Sequence, residues 1–399
     1  MITVKEADKI ISQNIVHCPS VRRSLPEVGG LVLREDVFAH RDSPAFDKVL
    51  MDGIIINFFS WNNGQCEFII QATQGAGQKP LTLKSNQHCI EIMTGAVVPE
   101  NTDCVIPIEQ IQIKDGKAVL DPKLKLAIWQ NIRRQGDDHR KGKRLIEKGC
   151  LLNAAHIAVA VSVGKTNLRV STQSKIAIIS TGDEIVSLNT KAKVFQIYPS
   201  NSAFLKAAFD HTGLFESSVF HFADHKKVLL REIKKILKNF DVLVLTGGVS
   251  MGKFDYVPQV LEELGVKVLF HKVEQKPGKP FWFGKSKNNQ PVFALPGNPV
   301  STQVGACRYV IPHLKNALGL NAVNPEYAVL KKNFRPDSTL TFFLLVKIIC
   351  NSKGLWEAEP VMTRGSGDLA ATAKADGFME IPPHKKIIQA GFVGRVYRW

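Results

Sequence analysis

The sequence predicts a doubly wound, mostly parallel α/β domain flanked by β-rich modules at its N-terminal side and a small β-barrel at its C-terminal side. Three observations lead there. Between Ser174 and Leu320, continuous apolar runs of strand length alternate with helical patterns, the mark of a parallel sheet covered on both faces. The first 170 residues instead carry short β-type runs punctuated by glycine and proline, and β-type runs return after Ala322.

Taken in order, the chain opens with a helical pattern over Lys5–Asn14, followed by the short runs GLVLREDVFA, GIIINFF, CEFIIQAT and DCVIPIEQIQI. Asn153–Val163, closed by Gly164, reads as a helix leading to the α/β domain. There the strands are Lys175–Ser180, Ser217–Phe222, Asp241–Thr246, Val266–Val273 and Pro291–Pro296. Helices are expected after Asn201, from Asp224, between the third and fourth strands and from Pro299, with Asn201 or Ser202 and Asp224 as N-caps and Gly213 as a terminating glycine. Phe281–Phe283 reads as sheet packing. Beyond Ala322, YAVLKKNF, LTFFLLVKII, LWEAEPV, FMEIPP and VGRVYRW suit a small barrel or sandwich.

The 399 residues, 44% hydrophobic, are enough for two to four domains of about 150 residues, which excludes disorder as the main state. No apolar run approaches the roughly 18 residues of a membrane span, and the charged N-terminus lacks the apolar stretch of a signal peptide. A soluble, cytoplasmic protein is expected. Seven scattered cysteines without a C-x-x-C pair argue against a disulfide framework or a thiolate zinc site. The 52 basic against 36 acidic residues, a net charge of +16, favour an anionic partner.

In an open parallel sheet, ligands bind at the carboxyl ends of the strands. Here four strand ends run into unusual turns: Thr181-Gly182-Asp183-Glu184, Gly247-Gly248-Val249-Ser250-Met251-Gly252 followed by Asp255, Lys276-Pro277-Gly278-Lys279-Pro280, and Pro296-Gly297-Asn298-Pro299. Glycines let backbone N–H groups approach an anion closely, and helix N-termini add favourable partial charge. Lys276 and Lys279 bracket a turn able to aim two ammonium groups at one oxyanion. Asp183, Glu184 and Asp255 on the same edge are the hard oxygen donors that Mg²⁺ shares with phosphates. Any one such turn is ordinary; their convergence is the signal.

Two other features weigh less. His221 and His225 have metal-like spacing but no third ligand nearby, which favours a solvated pair. The basic run Arg133-Arg134, Arg140-Lys141, Lys143-Arg144 is interrupted by Asp137 and Asp138 and lacks interleaved aromatics, so it reads as a solvated strip and nucleic acid is disfavoured.

These turns, together with Ser43–Asp47, Met51-Asp52-Gly53, Ile92–Pro99, Gln130–Asp138 and Arg364-Gly365-Ser366-Gly367, resemble the molybdopterin molybdenumtransferases, the MoeA and gephyrin E-domain family, over nearly the whole chain. The resemblance implies a MogA-like α/β domain and a four-part chain: residues 1–45 with 145–172, an inserted β-rich domain 46–144, the molybdopterin-binding domain 173–322 and a barrel 323–399. It implies a homodimer with a shared active cleft. Such enzymes take adenylylated molybdopterin and molybdate, use Mg²⁺ (Zn²⁺ in some members), and release AMP. It also makes a molybdopterin adenylyltransferase and molybdoenzyme chaperones natural partners.

By this resemblance Asp183, Glu184 and Asp255 handle metal and pyrophosphate, Lys276 and Lys279 bind molybdate or phosphate, and Gly247, Gly248 and Ser250 line the pterin-nucleotide path. Thr181, Gly182, Gly278, Pro296, Gly297, Asn298, Arg364 and Ser366 complete the substrate-binding set. Asp52, Thr94 and Asp138 are functional positions of the β-rich half, expected to reach the partner's cleft. Pro199 stands where the family carries an acid, Lys48-Val49-Leu50 replaces Asn-Ser-Ala, and Lys253 replaces an acidic or polar residue. An impaired paralogue that binds molybdopterin or serves as a scaffold is therefore the alternative.

Overall fold

The computed structural model describes residues 1–248, 256–322, 324–383 and 387–399. Val249–Asp255, and with them Ser250, Lys253 and Asp255, lie outside the described residues. The chain divides into two compact units, one of residues 1–35, 148–157 and 166–399, the other of residues 36–147 and 158–165.

In the first unit, helix α1 (Val4–Ser12) starts at a capping box, Thr3 accepting from the Glu6 N–H while Glu6 accepts from the Thr3 N–H. Its Val4, Ala7 and Ile11, spaced at three and four, pack under the main sheet. That sheet is built from β1 (Ser174–Thr181), α2 (Ser200–Asp210), β2 (Phe215–Phe222), α3 (Lys226–Asn239), β3 (Val242–Thr246), α4 (Val257–Glu263), β4 (Lys267–His271), β5 (Gln275–Lys276), β6 (Trp282–Lys285) and β7 (Pro291–Leu295). All but β5 of these strands pair in the order β2-β1-β3-β7-β6-β4. The first four are parallel, and β6 and β4 close the edge antiparallel.

The period of two in the apolar strands explains the double layer. Ile176, Ile178, Val242, Val244, Phe293 and Leu295 face one core with Leu205 and Phe209 of α2. Ala177, Ile179, Leu243, Leu245, Val292 and Ala294 face the other with Leu229, Ile233 and Ile236 of α3 and Val257, Val260 and Leu261 of α4. Phe281, Trp282 and Phe283 are buried in these layers, as sheet packing requires.

The expected caps differ. α2 begins at Ser200 with Pro199 as its N-cap, and α3 at Lys226 with His225 as its N-cap, neither with a side-chain cap bond. The Asn201 side chain is bonded instead to Thr246 and Gly297.

After β7 a helix begins at Pro299, passes through a π-helical turn at Ala306–Val310 and continues through Ile311–Ala317. The C-terminal strands β8 (Glu326–Leu330), β9 (Thr341–Cys350), β10 (Trp356–Pro360), β11 (Gly377–Ile381) and β12 (Val393–Arg398) pair in the order β9-β10-β8-β12-β11, and β11 returns to β9. The result is a closed five-stranded barrel, which leaves no unpaired edge in that ring. β5 leaves the α/β region and pairs in parallel with the start of β9, Lys276 opposite Phe342.

The second unit contains a six-stranded sheet in the order 104–107, 53–56, 88–92, 67–74, 117–120, 111–114. Ile55, Ile90, Ile92 and Val105 pack on one face, Ile54, Ile56, Phe68 and Ile106 on the other. No helix among the described residues is long and apolar enough to cross a membrane.

Candidate functional site

The carboxyl ends of β1, β3 and β7 meet the start of α2 around a cavity of about 520 Å³, lined by Thr181, Glu184, Asn201, Gly247, Gly248, Pro296, Gly297 and Asn298 among others. The loops approach one another closely because their glycines permit it. Gly247 and Gly248 have φ of +91° and +64°, the left-handed region. A Cβ on Gly247 would lie 2.9 Å from the Thr181 carbonyl oxygen, and one on Gly248 would lie 2.8 Å from Val257 Cγ2 and 2.9 Å from Thr181 Oγ1. Thr181 itself is buried, and its hydroxyl makes no hydrogen bond with a described residue.

Asn201 ties the site together. Its side-chain amide donates to the Gly297 carbonyl at 2.7 Å and to Thr246 Oγ1 at 3.0 Å, linking α2 to the ends of β7 and β3. Thr302 Oγ1 in turn donates to the Pro296 carbonyl at 2.6 Å. Sequence reasoning took Asn201 only as a cap and missed this role, although its place at the edge where the glycine turns gather is a usable signal. Tyr198 and Asp224 also line the cavity. Asp183 does not: its carboxylate accepts from the Asp224 N–H at 3.2 Å.

A second cavity, about 660 Å³, adjoins the first and shares Pro280, Pro296 and Asn298 with it. The Lys276–Pro280 turn, the start of β9 and the 361–366 loop line it, so Lys276, Gly278, Lys279, Arg364 and Ser366 come together here. Asn298 Nδ2 donates to Ser366 Oγ at 3.0 Å across the seam. Apolar groups, among them Phe334, Phe342, Phe343 and Met362, supply the remaining wall. Lys276 Nζ donates to Asp337 at 2.5 Å, whereas Lys279 makes no ion pair with a described residue.

Family models and a full-length relative decide the family. A MoeA N-terminal region (domains I and II) matches residues 2–164, a probable molybdopterin-binding domain residues 177–316, and a MoeA C-terminal region (domain IV) residues 327–398. A molybdopterin molybdenumtransferase of Synechocystis sp. is 36% identical, covering 100% of both chains. The chain belongs to the molybdopterin molybdenumtransferase family. A namesake from Staphylococcus epidermidis is 30% identical over 98% of this chain and 94% of the relative. The crystal structure of the molybdopterin biosynthesis MoeA protein of Pyrococcus horikoshii superimposes with a TM-score of 0.85 at 28% identity, covering 100% of this chain and 99% of that one. The MoeA fold therefore holds, with its α/β domain, β-rich N-terminal half and barrel.

The three other positions expected from the resemblance, Asp52, Thr94 and Asp138, lie in the second unit. Asp52 and Thr94 are bonded to each other, and the Thr94 hydroxyl, followed by its N–H, holds the Asp52 carboxyl below its usual range. Asp138 accepts from Ser43 Oγ at 3.1 Å and pairs with Arg133. Half of the basic strip is matched by acids: besides Arg133, Arg134 pairs with Asp47 and stacks on Trp129, and Arg144 lies beside Asp36 and Glu147. His221 Nδ1 sits 3.2 Å from Ser180 Oγ, and no group of three or more metal-ligating side chains occurs among the described residues.

Proposed function

We propose that the protein inserts molybdate into adenylylated molybdopterin and releases AMP, as a molybdopterin molybdenumtransferase. The observation that carries this reading is the pair of adjoining cavities sharing Pro280, Pro296 and Asn298, one framed by glycine turns and the other by cationic groups. Glycine turns suit a phosphoanhydride, because backbone N–H groups can approach its oxygens without a side chain intervening. Lys276, Lys279 and Arg364 suit an oxyanion.

The chemistry asks for charge to be held and needs no protein nucleophile. The turns after β1 and β3 would orient the pyrophosphate link, and Lys279 would neutralise the incoming molybdate. Glu184, at the cavity, and Asp183, beside it, offer hard oxygen donors that fit Mg²⁺ together with substrate phosphates; such an ion would polarise the bridging phosphate. Asp255 and Ser250 belong to the same reading. So do Thr181, Gly182, Gly247, Gly248, Gly278, Gly297, Asn298, Arg364 and Ser366 as substrate contacts.

The reading extends to a cytoplasmic homodimer in which Asp52, Thr94 and Asp138 serve the partner's cleft, to the four-part division into 1–45 with 145–172, 46–144, 173–322 and 323–399, and to supply by an adenylyltransferase. Full-length similarity to proteins named as transferases supports turnover over the binding-only alternative.

The test is AMP release by the full-length protein with adenylylated molybdopterin, molybdate and Mg²⁺. Release should depend on molybdate and fall by at least about tenfold in Lys279→Ala, the scale of one lost charge-assisted bond. Rates independent of molybdate, or unchanged in Lys279→Ala, would refute the reading.

A further inference from the structure

Among the described residues, the cavity beside the barrel is lined by four cationic side chains, Lys276, Lys279, Arg335 and Arg364, and by a single carboxylate, Asp337. That carboxylate sits on one of the cations: Asp337 Oδ2 accepts from Lys276 Nζ at 2.5 Å. Lys279, Arg335 and Arg364 make no ion pair with a described residue. The chain thus supplies its own anion to a group that, on the reading above, is there to bind an oxyanion.

We infer that Asp337 is a tethered competitor for the oxyanion, occupying Lys276 until substrate displaces it and thereby setting the affinity of this cavity. The two partners differ in how they are held. Lys276 is fixed by the pairing of β5 with β9, whereas Asp337 lies in the connection between β8 and β9, with its side chain 67% exposed. The carboxylate is therefore the partner that yields. Lys276 exchanges one anion for another, so its charge stays compensated, and the released Asp337 is solvated by water. A monovalent carboxylate in an exposed pair holds weakly, whereas a divalent oxyanion can also engage the other cations. Asp337 therefore raises the concentration at which oxyanions fill the cavity and disfavours monovalent anions.

The inference rests on the oxyanion reading of the cavity, and the experiment separates the two. Titration calorimetry of full-length protein with sodium molybdate should give a Kd about two- to fivefold lower in Asp337→Asn than in wild type, the scale of one exposed ion pair. Asp337→Glu should stay near wild type, and the gain should shrink at about 1 M NaCl, where screening reaches about 3 Å. In a Lys276→Ala background Asp337→Asn should give a smaller gain. In turnover, Asp337→Asn should lower KM for molybdate and leave kcat unchanged. If Lys276→Ala weakens molybdate binding but Asp337→Asn does not tighten it, or tightens it equally without Lys276, the competitor inference is overturned and the oxyanion reading stands. If Lys276→Ala binds molybdate as tightly as wild type, the assignment of Lys276 to oxyanion binding fails, and the inference with it.

Discussion

Asp52 Oδ1 accepts two hydrogen bonds from Thr94, one from its backbone N–H at 2.6 Å and one from its hydroxyl at 2.7 Å. Both favour the charged carboxylate, so the Asp52 pKa lies below its ordinary 3.8. A lowered folded-state value stabilises the native form above the unfolded pKa, and that contribution disappears as pH falls through the lowered one. Thr94→Val removes the hydroxyl and keeps the N–H. The Asp52 titration midpoint, followed by carboxyl NMR shifts, should move up toward the ordinary value; an unmoved midpoint would show that the hydroxyl contributes nothing.

Gly248→Ala should damage the first cavity. Its φ of +64° disfavours any side chain, and the new Cβ would meet Val257 Cγ2 and Thr181 Oγ1 inside ordinary contact distance. Denaturant unfolding should show a loss of about 1–3 kcal/mol. AMP release should fall with it, because the turn must shift to make room.

His313 is 2% exposed and lies edge-on to Phe293 and Phe283, with ring centroids 5.2 and 6.1 Å away. Burial pushes its pKa down to about 4, against a weaker upward pull from the Ile11 backbone. The unfolded chain takes up this proton below about pH 6.5 and the native chain only near 4, so stability is whole above that window and declines as pH falls across it. The loss sums to roughly 3 kcal/mol. Urea midpoints of His313→Leu should show a shallower decline between pH 6.5 and 4 than those of the wild type.

Arg308, in the π-helical turn, joins three parts of the first unit. It donates to both Asp8 oxygens of α1, at 2.7 and 2.5 Å, and to Glu380 of β11 at 3.0 Å. Tyr397 of β12 also donates to Glu380, at 2.7 Å. The guanidinium is 8% exposed while the Glu380 and Asp8 side chains are 22% and 43% exposed, so Arg308→Ala removes charge-assisted bonds to partly hydrated carboxylates and should cost about 1.5–3 kcal/mol in denaturant unfolding. Arg308→Lys should recover only part of it, because one ammonium cannot reproduce the fork.

What the sequence made legible follows from periodicity. The centres of β1 (Ile176–Ile179), β3 and β7 are continuous apolar runs because both faces are covered, so strand identity and a parallel sheet could be read directly. Strand direction at the edge could not. The run of β6 carries the same residue types as the parallel strands, and only its pairing with β7 and β4 shows that it runs against them. The cap at Asn201 yields to tertiary bonds, its amide serving Gly297 and Thr246, and the helix expected at Asp224 starts two residues later, at Lys226. The glycine turns announced the first cavity by type and position. The Lys276 and Asp337 pair, 61 residues apart, has no local signature, and neither does the Arg308 junction.

The two residues of β5 have an implication for dissecting the chain. They belong by sequence to the α/β segment and by hydrogen bonding to the barrel, where Gln275 and Lys276 lie beside Thr341 and Phe342. An excised fragment ending near residue 322 would keep the lysine-bearing turn yet lose the neighbour that shapes it, so such a truncation would report on half a receptor.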